Sequence, residues 1–71
     1  MMNYQAKREV VFNEEIGTYT TYGIVVSEKG KTLFEIHDVT TSEKEIEKFC
    51  LLCNRLELDP IHIYEAIEDN L

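Results

Sequence analysis

The chain has 71 residues with 14 Asp and Glu against 7 Lys and Arg, a formal net charge of −7 and a pI near 4.6. That length holds one domain, residues 1–71, whose core is too small to enclose a deep catalytic cleft. The acidity argues against nucleic acid or an anionic membrane surface as partner, since both attract positive charge.

Apolar residues make up 44% of the chain and there is one proline, as in ordinary folded proteins. The N-terminal residues carry Lys7, Arg8 and Glu9 and no apolar run of signal-peptide length. No segment has the ~20 apolar residues of a membrane helix. These features predict a cytoplasmic protein whose two cysteines, Cys50 and Cys53, stay reduced. Without a disulfide, a domain of this size is marginal, and self-association is a common remedy.

Alternation over Tyr4 to Phe12 predicts a first strand, with Tyr4, Ala6, Val10 and Phe12 inward and Gln5, Lys7 and Glu9 outward. Arg8 falls on the apolar face, so it belongs near the sheet margin with its stem buried and its head in water. Asn13 to Gly17 reads as a loop. Thr18 to Ser27 reads as a second strand, with Tyr22, Ile24 and Val26 inward and Gly23 marking a bulge or a close backbone approach. Glu28-Lys29-Gly30 is a hairpin turn, and Lys31 to Val39 a third strand with Phe34 and Ile36 inward. Short loops between sequential strands give an antiparallel meander.

The period then changes. Thr40 with Glu43 forms a capping-box pattern, followed by Ile46, Phe49, Cys50 and Cys53 at helical spacing and an end near Leu56. Asp59-Pro60 starts a second helix, with Ile63, Tyr64, Ile67 and Leu71 as its buried stripe. The fold class is α+β, a three-stranded meander followed by two helices on one face (β-β-β-α-α). Residues 1–39 carry 4 basic and 6 acidic side chains, whereas residues 40–71 carry 3 and 8, so most of the acidity belongs to the helical half.

The chemistry-bearing residues are few. Cys50-Leu51-Leu52-Cys53, with His37 and His62, is a Cys2His2 inventory, but two cysteines three apart on the apolar face of one helix are core residues before they are ligands. Mid-helix, they also lack the helix N-terminus that acidifies a redox thiol. His37-Asp38 has the composition of an oriented general base but no nucleophile beside it in sequence, so it is read as a solvent-facing imidazole next to a turn-bonding carboxylate. His62 sits in the first turn of the last helix, near Arg55 and Glu57. The four tyrosines are read as strand and core residues, because stacking platforms for bases lie in basic grooves. Glu65, Glu68 and Asp69 crowd the C-terminal half of the last helix, where negative charge is unfavourable unless a basic surface answers it.

Asp38-Val39-Thr40-Thr41, then Asn54-Arg55-Leu56-Glu57-Leu58-Asp59-Pro60-Ile61-His62-Ile63 and Ile67-Glu68-Asp69 with Leu71, resemble a small uncharacterised domain family of clostridia-like Firmicutes. Its shared core reads D-[IV]-[ST]-T, N-R-x-E-L-x-P-I-H and E-D-x-L, and Tyr22-Gly23-Ile24 fits the same family. The resemblance supplies no activity. Cys50 and Cys53 stand where aliphatic residues are typical of it, in keeping with their core reading.

The expectation is a small acidic protein-interaction or regulatory module, not an enzyme, with no cofactor and no metal. Its partner is a protein not identifiable from sequence, or a second copy in a homodimer. The candidate interaction surface is Arg55, His62, Glu65, Glu68 and Asp69. The alternative is an acidic mimic of nucleic acid that inhibits a DNA-binding protein, although Lys44, Lys48 and Arg55 interrupt its charge. The far face of the sheet, with Val11, Tyr19, Val25 and Leu33, is a second place where an apolar patch would mark an interface.

Overall fold

The computed structural model describes residues 1–71. Strands β1 (Met2–Asn13), β2 (Gly17–Glu28) and β3 (Lys31–Thr40) form one antiparallel sheet in the order β1-β2-β3. Helix α1 (Glu43–Arg55) follows, then a 3-10 turn at Pro60–His62 that runs into α2 (Ile63–Asn70). The predicted α+β architecture is therefore the observed one.

Two local devices set the hairpins. Gly17 closes the β1–β2 turn at φ 82°, where an L side chain is strained. The β2–β3 turn has only Lys29 and Gly30 between the paired Glu28 and Lys31, and both take positive φ (52° and 80°), as a type I′ turn requires. The β1–β2 ladder is unbroken from Met2↔Glu28 to Asn13↔Gly17. The β2–β3 ladder is not. Tyr22 pairs with Thr40 and Ile24 with Ile36, so His37, Asp38 and Val39 stand opposite Gly23 alone. Asp38 takes φ 51° inside this bulge.

The buried core joins Tyr4, Ile24 and Val26 of the sheet to Ile46, Phe49, Cys50 and Cys53 of α1 and Ile63 of α2. The α1 stripe is the one the 3.6-residue spacing predicts. Its start differs. Ser42, not Thr40, is the N-cap, its hydroxyl accepting from the Glu45 amide at 3.2 Å. Thr40 is still in the sheet opposite Tyr22, and Glu43 accepts from the Tyr22 hydroxyl at 3.0 Å instead of closing a capping box. The helix ends in a Schellman arrangement, with the Leu58 amide bonded to the Cys53 carbonyl and the Glu57 amide to Asn54, Glu57 standing at φ 50°. Asp59 caps the next turn through the Ile61 amide at 3.1 Å, as its pairing with Pro60 predicts. In α2 the stripe is Ile63, Ala66 and Ile67. Tyr64 and Leu71, predicted inward, are exposed, because the helix is short and docks chiefly through its first turn.

The largest departure is at the far end of the hairpin. Val10 and Phe12 lie on the helix-side face, as alternation predicts, yet they are 60% and 70% exposed. The reason is reach. β1 and β2 each span 12 residues and set the 39 Å long dimension, whereas α1 has 13 residues at about 1.5 Å each and covers only half of it.

Candidate functional site

Two surfaces carry the features of interest, one polar and one apolar. The polar one lies on the sheet face away from the helices. Gly23 permits it. Its missing side chain leaves room for the Ile36 carbonyl from β3 and the Glu9 carboxylate from β1. Glu9 Oε2 lies 2.7 Å from His37 Nδ1, and Glu9 Oε1 accepts from the Asp38 amide at 3.3 Å. Asp38 in turn accepts from the Tyr19 hydroxyl at 2.9 Å and from the buried Thr21 hydroxyl at 2.7 Å. Those two bonds, Thr21 first, hold the Asp38 carboxyl below its usual range.

Chemically, Glu9 fixes the His37 ring through Nδ1 and leaves Nε2 facing outward on a side chain that is 64% exposed. Both nearby hydroxyls, of Tyr19 and Thr21, give their protons to Asp38 and not to His37. The cluster ties three strands together across the bulge. Next to it Lys7 donates to Glu35 at 2.8 Å, so the far face of the sheet is crossed by ion pairs and is not one continuous apolar patch around Val11, Tyr19, Val25 and Leu33. The sequence showed His37-Asp38 as neighbours. It did not show Glu9, which reaches them only because β1 and β3 flank a glycine.

The apolar surface is the uncovered end of the hairpin, with Val10, Phe12 and Ile16, the last 68% exposed in the turn. Nothing in composition marks it, since the same alternation describes the buried half of the strand.

The five residues predicted as an interaction surface are all exposed. His62 Nδ1 stands 3.9 Å from Glu65 Oε2 across one turn. Glu68 and Asp69 continue along α2, and Arg55 forms no hydrogen bond or ion pair with any of them. Arg55 instead lines a shallow groove of about 550 Å³ on α1 with Lys48, Leu51 and Leu52.

No group of three or more His, Cys, Asp or Glu is placed to hold a metal ion. Cys50 and Cys53 are free thiols inside the core, and burial pushes the Cys50 thiol up to about 11, with Cys53 beside it adding to the rise. Thiol-specific reagents at mildly alkaline pH are therefore expected to label neither cysteine until the chain unfolds. Labelling in the native state at the rate of a free thiol, followed by mass spectrometry, would contradict the core placement.

An α+β fold of three antiparallel strands and two helices, with one hairpin end bare, defines the class of molecule. The chain belongs to a Family of unknown function (DUF6514), whose model matches residues 2–71. No curated protein and no solved structure matches the chain. No helix is long and apolar enough to cross a membrane.

Proposed function

We propose that this chain is a small protein-interaction module that performs no chemistry of its own and docks a protein through the bare end of the β1–β2 hairpin. The observation that carries the reading is the exposure of Val10, Phe12 and Ile16 together on a segment that no helix covers. Large apolar side chains gathered at one end of a small domain mark a surface that water does not keep. Asn54 and Pro60, within the segment that resembles the family signature, serve this reading as architecture: one fastens the edge of β1 and the other starts the last turn. Reduced core thiols fit a cytoplasmic setting.

The test places a photoreactive benzoyl-phenylalanine at Phe12 of the full chain, in cells that make it. A discrete heavier adduct is expected on irradiation. The same group at Lys29, in the opposite turn, is expected to give none. No discrete adduct at Phe12, or equal adducts at both sites, would sink the reading.

A further inference from the structure

The outer edge of β1 is closed at one point only. The Asn54 side chain donates from Nδ2 to the Tyr4 carbonyl at 2.9 Å and accepts from the Tyr4 amide at 2.8 Å, as a neighbouring strand would. Since both backbone groups of Tyr4 face outward, the alternation of an antiparallel ladder turns those of Ala6, Arg8, Val10 and Phe12 the same way. No side chain bonds to these four. An open strand edge of this length, bearing Val10 and Phe12, is a template for another strand.

We propose that the strand which pairs there is β1 of a second copy, antiparallel and centred on Val10, so that two sheets join into one of six strands. The inference rests on the docking reading above and names its partner. Charge selects the register. A two-fold pairing centred on Lys7, Arg8 or Glu9 sets that charge against its own copy, which is destabilising for directly opposed residues. Centred on Val10, the pairing sets valine on valine and Arg8 opposite Phe12, where the guanidinium can lie on the ring. Centred one residue further on, at Val11, it sets Arg8 opposite Glu14 in the turn and leaves only Val10 with Phe12 as hydrogen-bonded pairs inside the strand, a shorter ladder.

The Val10 register also accounts for Ile16. It brings the partner's turn, Glu14 to Ile16, beside Tyr4 and Ala6. A groove of about 290 Å³ lies there, lined by Tyr4, Ala6, Glu47, Cys50, Leu51 and Asn54 among others, so Ile16 and not the acidic Glu14 and Glu15 is the residue that enters it. Leu51 is exposed in the single chain. Ile16 thus finds cover on the other copy, and Val10 and Phe12 each gain a cross-strand neighbour, by the same contacts in both directions, as a two-fold interface requires.

Sedimentation equilibrium over a range of concentrations tests the association, and cysteine scanning tests the register. The wild-type chain is expected to reach twice its 8.3 kDa mass as concentration rises. Val10→Lys, at a position exposed in the single chain, is expected to weaken the dimer by ~tenfold or more and to leave the circular dichroism and dilute-solution melting unchanged. Under mild oxidation Val10→Cys should cross-link to itself, because opposed hydrogen-bonded residues are ~5.5 Å apart at Cα, within disulfide reach. Arg8→Cys and Phe12→Cys should each form no disulfide-linked dimer alone and should cross-link when mixed. A strict monomer overturns the proposal, as does a dimer that cross-links through residue 8 or 12 alone and not through 10. A strict monomer whose Phe12 photoadduct has the mass of another protein overturns the pairing and leaves the docking reading in place.

Discussion

Gly23→Ala is expected to be among the most damaging single substitutions in this chain, with a loss of about 3 kcal/mol or more. A β-carbon built on Gly23 would sit 2.3 Å from the Ile36 carbonyl oxygen, 2.6 Å from Glu9 Oε1 and 3.3 Å from the His37 α-carbon. Two of those three atoms are backbone, so no rotamer change relieves them. Moving the Ile36 carbonyl breaks the pairing of Ile24 with Ile36, which anchors the core side of β2. Moving Glu9 separates it from His37 and the Asp38 amide. A domain of this size holds only ~4–10 kcal/mol in total, so a loss of that order moves its urea midpoint far toward zero. The double variant Glu9→Ala/Gly23→Ala clears one contact and leaves the carbonyl, so it is expected to recover little. If Gly23→Ala melts within a few degrees of wild type, the close approach of β1 and β3 across this residue is wrong.

Gly23 was visible in the sequence as a glycine interrupting a strand, and bulge or close contact were the two physical reasons available; both hold. The helix stripe was legible for a related reason: Ile46, Phe49, Cys50 and Cys53 repeat at a spacing only a helix brings to one face. What escaped depends on distance and coverage. Alternation assigns Val10 and Phe12 to a face but does not say whether anything lies on that face. Glu9 and His37 are 28 residues apart and meet only because Gly23 opens the space between two strands that are not neighbours. Thr40 looked like a helix cap because its hydroxyl and Glu43 have the right spacing. The bulge carries the strand as far as Thr40, so the cap passes to Ser42. The acidic end of α2 was legible as charge, and Arg55, His62, Glu65, Glu68 and Asp69 are all exposed, with His62 and Glu65 facing each other across one turn.

Ile46→Ala is the second large effect expected, a loss of about 3–4 kcal/mol within the usual range for emptying an aliphatic core site. Ile46 is fully buried, one turn into α1 and in the cluster that includes Tyr4, Ile24 and Val26. Truncation removes its contacts with the sheet and leaves a void that a short helix, held at one end by Ser42 and at the other by Asn54, is poorly free to close. The informative comparison is with Phe12→Ser. Phenylalanine is the larger side chain, yet Phe12 already meets water in the single chain, so its loss is expected to shift dilute-solution stability by no more than about 0.5 kcal/mol. The two variants should therefore part company with concentration. Ile46→Ala lowers the urea midpoint at every protein concentration, because the core belongs to each copy alone. Phe12→Ser matches wild type in dilute solution and falls behind it as concentration rises, because association stabilises only the chain that can associate. A Phe12→Ser chain that is as unstable as Ile46→Ala in dilute solution would place Phe12 in the core and remove the surface on which the docking reading stands.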